Sequence, residues 1–234
     1  TEDYNEADEL FTEEYAYFSS TSKSFVEHAK NYSQDIITRF NLSAQSFVME
    51  LASNDGYLLR NFVESGIPCL GVEPTTSTAE AARKLDIEVI EEFFGEATAN
   101  KIINSYQQAD LIIGNNVYAH VPDINDFTLG MKVCLKDNGV ITLEFPHLMN
   151  LIKHNQFDTI YHEHFSYLSL HSVNAIFKSS GLKIFDVDKL NTHGGSLRVY
   201  GCHAEDSRSV NESVTKLLLE ETSSRLNTIE TYKN

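Results

Sequence analysis

Short apolar runs alternate with amphipathic stretches through the middle of the chain. Residues 46–51, 69–73, 88–90, 110–114 and 139–145 read as strands. Between them, 58–65, 78–84, 97–106 and 125–135 read as helices, the first stopped at Gly66. Strands spaced by helix-length segments predict parallel βαβ units. Further on, 172–180 reads as a helix and 182–190 and 196–203 as two more strands. The short turn Thr192-His193-Gly194-Gly195 joins this last pair, so it should lie antiparallel at a sheet edge.

The two ends have a helical period instead. Val26, Ala29, Ile36, Ile37 and Phe40 fall near helical spacing within residues 1–44. In the tail, Ser209-Val210-Asn211-Glu212 has capping-box form, and Val210, Val214, Leu217, Leu218, Leu226 and Ile229 make an apolar stripe. No Gly or Pro stop follows before Asn234. The expectation is three regions: an N-terminal helical segment (1–44), an α/β domain (45–204) and a C-terminal helix (205–234). The last is either cut short or docks on a domain or partner outside this chain.

Composition narrows the classes. A chain of 234 residues with 41% hydrophobic content can bury one large core. No run of the ~18 apolar residues that a membrane span needs occurs, so no membrane partner is expected. The acidic N-terminus lacks the basic and apolar regions of a signal peptide. Cys69, Cys134 and Cys202 are far apart and odd in number, which predicts reduced thiols in a cytoplasm and no paired-cysteine metal site. A net charge of −16 argues against a general nucleic-acid binder, while a local basic pocket for a nucleotide diphosphate stays compatible with it.

The densest chemistry lies in Tyr161-His162-Glu163-His164-Phe165-Ser166-Tyr167, beyond the strand ending at Phe145-Pro146. Tyr, His and Glu are the side chains that move protons near neutral pH, and a core has no use for a run of them. The plain alternative is a salt-bridged or metal-binding surface loop. His162 and His164 would be its ligands, but no third ligand sits at a recognisable spacing, and no metal is expected.

A second locus is the first strand–helix turn, Glu50-Leu51-Ala52-Ser53-Asn54-Asp55-Gly56. It offers one glycine where a dinucleotide-binding turn offers three, so a pyrophosphate-bearing cofactor and an oxidoreductase fit poorly. The second strand ends at Glu73-Pro74, where a carboxylate can accept from ribose hydroxyls. Together these predict an adenosine-type ligand without pyrophosphate, and S-adenosylmethionine suits: ribose on Glu73, amino-acid end near Glu50 and the turn 52–56. Phe93 is a candidate adenine neighbour, although such a phenylalanine is more often core. Asn115 and Asn116 follow the fourth strand where the methionyl part would pass, and His120 lies a few residues on. Alone, Glu73 would read as a solvated strand end, and His120 equally as a surface histidine.

The motifs Glu-Leu-Ala-Ser-Asn-Asp-Gly, Gly-Val-Glu-Pro, Asn-Asn-Val-Tyr-Ala-His-Val-Pro-Asp, Tyr-His-Glu-His-Phe-Ser-Tyr and Thr-His-Gly-Gly-Ser-Leu-Arg-Val-Tyr occur in this order over residues 15–203. In them the chain resembles the nucleotide-sugar C-methyltransferases, of the deoxysugar 3-C-methyltransferase type. The resemblance implies a class I methyltransferase, Rossmann-like sheet and S-adenosylmethionine as cofactor. It implies as acceptor a small molecule, a nucleotide-linked (dTDP) deoxysugar, methylated at a carbon beside a ketone. The family's N-terminal zinc domain and second α/β domain are not expected within this chain. His164 is the implied base, oriented or polarised by Glu163. Tyr161 or His120 would donate to the enolate oxygen, and Tyr15 would close over the substrate. His193, Ser196 and Arg198 would touch the sugar or its diphosphate; without the resemblance they read as a hairpin turn and a strand. Two other functions stay open: methylation of another small acceptor, and a non-catalytic S-adenosylmethionine-binding module.

Overall fold

In the computed structural model, which describes residues 18–226 and 228–233, the apolar runs become seven strands. They are β1 (Val48–Leu51), β2 (Cys69–Val72), β3 (Glu88–Ile90), β4 (Ala109–Asn115), β5 (Leu135–Pro146), β6 (Leu182–Leu190) and β7 (Ser196–His203). The amphipathic stretches become α1 (Lys23–Arg39), α2 (Arg60–Glu64), α3 (Thr76–Arg83), α4 (Glu96–Ser105), α5 (Ile124–Cys134), α6 (Leu148–Lys153), α7 (Leu170–Ser179) and α8 (Glu212–Ser223).

The strands form one sheet in the order β3-β2-β1-β4-β5-β7-β6. The first five are parallel, and β7 runs antiparallel between β5 and β6. Successive strand residues point to opposite faces, so each strand feeds two cores. Val48, Leu111, Ile113 and Val140 pack with Ala29, Tyr32 and Ile36 of α1, Phe62 of α2 and Ala79 of α3. Met49, Leu51, Ile112 and Ile141 pack with residues of α4, α5, α7 and α8. Burying each large aliphatic or aromatic side chain is worth about 1.5–3 kcal/mol, and this fills both faces. The terminal helices α1 and α8 therefore share these cores with the sheet.

Caps explain several starts. Ser22 accepts from Phe25 N–H at the head of α1, Asp123 from Asp126 N–H before α5, and Ser169 and Ser172 form a capping box on α7. The expected Ser209–Glu212 capping box does not form: α8 starts at Glu212 after Asn211, whose side chain makes no cap bond. Nor does that helix run on to the end. It stops at Ser223, and Arg225 turns the chain with φ 55°. Val210 and Ile229 lie outside it and are exposed, so only Val214, Leu217 and Leu218 of the predicted stripe pack inward. α6 was not expected; it follows Pro146, has no side-chain cap and buries none of its residues. Cys69, Cys134 and Cys202 are free thiols. Among the described residues no helix is long and apolar enough to cross a membrane.

The strand order reverses between β1 and β4. Connections leave these strands in opposite directions, opening a crevice at their carboxyl ends. Every site candidate of the first four strands falls at that edge.

Candidate active site

The turn after β1 is wound by left-handed residues: Ala52 at φ 53°, Asn54 at 50° and Gly56 at 77°. Only Gly56 adopts that region without strain, and it is also needed for space. A Cβ there would stand 2.5 Å from Ile87 Cδ1 and 3.1 Å from Ala82 Cβ. The curl points the Asn54 amide at Glu73, and a second amide comes from Thr75 beyond β2. Asn54 N–H donates to Glu73 Oε2 at 2.9 Å and Thr75 N–H to Oε1 at 3.0 Å. Each oxygen keeps a further lone pair, and Glu73 lines the cavity.

Beneath the turn, Glu50, Ser53 and Asp55 are buried. Burial first, then the charges of Glu73 and Asp55, hold the Glu50 carboxyl well above the usual carboxylate range. Ser19 N–H donates to Asn54 Oδ1 at 2.9 Å and Ser20 N–H to Asp55 Oδ2 at 3.1 Å, so the segment before α1 is fastened onto the turn.

The crevice is a cavity of about 860 Å³. Seven expected cofactor residues line it: Ala52, Asn54, Glu73, Pro74, Phe93, Asn115 and Asn116. Glu50, Ser53, Asp55 and Gly56 lie below and support the turn instead. Carboxylates stud the wall at Glu73, Glu92, Asp123, Asp126, Asp158 and Glu163, and among the described residues no lysine or arginine lines it. Such a surface repels a pyrophosphate and favours a ligand with positive charge, as the sulfonium and ammonium of S-adenosylmethionine supply. Asn115 Oδ1 is buried with no partner among the described residues, an acceptor awaiting a donor. These features fit the cofactor. Glu73 would hold the ribose hydroxyls, and Asn115 and the Ala52–Asn54 turn its amino-acid end.

The opposite wall comes from the excursion between β5 and α7. A short turn, Phe157–Thr159, leads into Tyr161, Glu163 and His164, all three of which line the cavity, whereas His162 is exposed. His164 Nδ1 lies 2.8 Å from the Thr159 carbonyl. A carbonyl only accepts, so Nδ1 carries the hydrogen and Nε2 is left with its lone pair. Tyr161 Oη stands 3.1 Å from that Nε2 and donates to it. The Thr159 carbonyl orients His164, and of the two roles expected of Glu163, orienting or polarising the ring, its charge supports the second.

The His120 ring packs edge-on to His164 at 4.7 Å, from a turn after β4. Ser166 N–H donates to the Ala119 carbonyl at 3.1 Å and joins the two segments. Burial lowers the basicity of both imidazoles. His120 is pushed down to about 4, by burial first and then by His164, and His164 is lowered chiefly by burial. Both rings are neutral near pH 7, which leaves His164 Nε2 able to take a proton.

The remaining candidates are placed elsewhere. Tyr15 lies outside the described residues, as does the side chain of His193, in the turn Thr192–Gly194. Ser196 is buried, and its hydroxyl donates to the Thr192 carbonyl at 3.1 Å. Arg198 does not line the cavity. It is buried across from Glu144, Nε to Oε1 at 2.7 Å, with its guanidinium 4.7 Å from the centre of the Tyr32 ring. His28 Nε2 reaches the other Glu144 oxygen at 2.7 Å. Burial pushes the Glu144 carboxyl up, but the His28 hydrogen bond and the Arg198 charge outweigh it and hold the group below the usual range. This cluster pins α1, whose Phe25 lines the cavity, to the sheet. Sequence reading passed over Glu144, although a charge in the apolar run Val140–Phe145 signals a buried partner. It also passed over Tyr57, Asp158 and Thr159.

Residues 25–187 match the family model described as a methyltransferase domain, and residues 191–234 the one described as a C-methyltransferase C-terminal domain. The C-methyltransferase NovU of Streptomyces niveus is 35% identical over 218 residues, 93% of this chain and 52% of NovU. The chain thus spans about half the length of that relative. A protein of Pyrococcus horikoshii superposes with a TM-score of 0.64 at 15% identity, over 80% of this chain and 94% of that one. The magnesium protoporphyrin IX methyltransferase of Synechocystis, solved with bound S-adenosylhomocysteine, superposes at 0.58 and 12% identity, over 76% and 82%. These two likenesses concern the fold. Strand order, cavity and family models agree: the chain belongs to the methyltransferase family, the S-adenosylmethionine-dependent enzymes of the class I fold.

Proposed function

We propose that this domain methylates a carbon beside a ketone in a nucleotide-linked deoxysugar. The observation that carries the reading is the fixed tautomer of His164: a neutral imidazole with its Nε2 lone pair on the cavity wall. A carbon next to a carbonyl becomes a nucleophile only when it loses a proton, and oxygen or nitrogen acceptors need less help. Bound along the Glu73 wall, S-adenosylmethionine supplies an electrophilic methyl group.

His164 Nε2 takes the α-proton and becomes an imidazolium, stabilised by the Thr159 carbonyl at Nδ1 and the charge of Glu163. The electron pair left on carbon delocalises into the carbonyl as an enolate. Tyr161, freed from Nε2 as that atom gains its proton, turns its hydroxyl to the enolate oxygen. His120, held neutral beside them, adds no competing positive charge.

The sugar acceptor is supported by the ordered motifs and by likeness to a C-methyltransferase over 93% of the chain. The acid-studded wall favours a second reading, an uncharged acceptor, because a diphosphate gains nothing from those carboxylates. Both are tested by incubating the protein with isotopically labelled donor and paired panels of dTDP-linked and free keto-deoxysugars. A new carbon-bound methyl signal on the linked sugar is expected. Turnover of free sugars alone selects the second reading, and a methyl on oxygen or nitrogen refutes both.

A further inference from the structure

The excursion from His147 to Ser169 carries Asp158, Thr159, Tyr161, Glu163 and His164, and it leaves and rejoins the fold at two points. One carboxylate touches both. Glu221, on α8, is 1% exposed. Its Oε1 accepts from His147 Nε2 at 2.7 Å, where the excursion departs, just after the cavity-lining Pro146. The same oxygen accepts from Leu170 N–H at 2.7 Å, and Oε2 from His171 N–H at 2.8 Å, where the excursion returns at the head of α7. Ser169 Oγ covers only the Ser172 amide there, so Glu221 satisfies the amides that the cap leaves open and meets the positive end of the helix dipole. Backbone pairing of Leu148 N–H with the Leu168 carbonyl at 2.9 Å closes the neck between the two points.

We infer that Glu221 is a positioning residue for the reaction, fixing both ends of the segment that presents His164. A fully buried carboxylate loses its hydration, and its hydrogen bonds with the neck offset that cost here. Nothing in the cofactor wall needs it: Glu73 and the Ala52–Asn54 turn are held by their own amides. The excursion keeps separate anchors, His147 N–H and Asn150 Nδ2 to the Gly195 carbonyl at 3.1 and 3.3 Å near its start, and Gln156 Nε2 to that of Gly194 at 2.8 Å farther along. Loss of Glu221 should therefore let the neck shift without detaching the segment. Gly194, Gly195 and Glu221 all lie in the stretch matched by the C-methyltransferase C-terminal model. That stretch would thus hold the reacting segment in place as well as complete the sheet.

The inference rests on His164 being the reacting base. Glu221→Gln keeps one acceptor oxygen and turns its NH2 toward one of the two α7 amides, donor against donor. Three measurements are made on this variant: amide hydrogen exchange by mass spectrometry, S-adenosylhomocysteine affinity, and kcat with KM. The expectation is faster exchange confined to residues 147–172, unchanged affinity and donor KM, and kcat down about a hundredfold, as a displacement of about 1 Å at the reacting group can cause. Should that variant fail to fold, His147→Phe loosens the departing end alone and decides by the same measurements. Exchange and kcat like the wild type overturn the inference. So does cofactor affinity lost in step with kcat, which would make Glu221 a residue of the whole fold. If the wild-type protein methylates no keto-sugar, the functional reading fails, and local exchange still decides on the anchor.

Discussion

The two walls of the cavity are built differently. The cofactor wall is made of strand ends and tight turns: Glu73 is 5% exposed with two backbone amides on its carboxylate, and Ala52, Asn54 and Asn116 sit at left-handed φ. Such conformations cost of order 1–3 kcal/mol each and persist only where the surroundings enforce them. The wall proposed to react is an excursion whose Tyr161 is 44% exposed and whose Phe157 is 80% exposed. His164 is held there by one carbonyl and one phenol. On the roles proposed above, binding is rigid and set by the fold, while His164 sits on a segment open to solvent, where an acceptor would enter and leave. Substitutions should separate the two functions.

The largest separation is expected from His164→Asn. Turnover should fall roughly a hundredfold to ten-thousandfold, the range of general-base contributions, while calorimetry finds unchanged affinity for S-adenosylhomocysteine. Affinity falling with turnover would mean that the walls are not independent. Glu73→Ala is the converse. It should weaken cofactor binding by about 1.5–3 kcal/mol, typical of hydrogen bonds to a charged group, and leave kcat at saturating donor near that of the wild type. Unchanged affinity would remove Glu73 from the ribose.

Gly56→Ala probes the enforced turn. The φ of 77° and the 2.5 Å approach to Ile87 Cδ1 predict a loss of about 1–3 kcal/mol, read from the urea midpoint. A neutral result would mean that the turn yields easily.

A smaller effect is expected from pH. The His120 value is depressed from 6.5 to about 4, so the unfolded chain binds the extra proton first as pH falls. The stability that this neutral imidazole contributes is complete above about 6.5 and is lost progressively as pH drops toward about 4. Urea midpoints should fall across that window, and less steeply in His120→Asn. His164 is depressed too, so the acid limb of kcat/KM should lie below 6.5.

The same division governs what the sequence reveals. Strands and most helices of the sheet were legible because period and turn residues are local, and β6 and β7 fall on the expected residues. β5 starts at Leu135 rather than at Gly139, since the register shift opposite Ala109 is a property of two strands together. Seven of the residues expected at the cofactor line one cavity because they cluster at strand ends. The place of Arg198 was not legible: its partner Glu144 becomes its neighbour only through the β5–β7 register. The Thr159 carbonyl was invisible because backbone atoms leave no residue signature, and Glu221 because 74 positions separate it from His147.

The most direct test of the division between binding wall and reacting base is solvent exchange without methyl transfer. The wild-type protein and His164→Asn are each incubated in deuterium oxide with the keto-sugar and S-adenosylhomocysteine in place of the donor. Deuterium should enter the carbon beside the ketone with the wild-type protein and not with the variant, although both bind S-adenosylhomocysteine equally. Exchange at the wild-type rate in His164→Asn would contradict it and move the base to Tyr161 or His120.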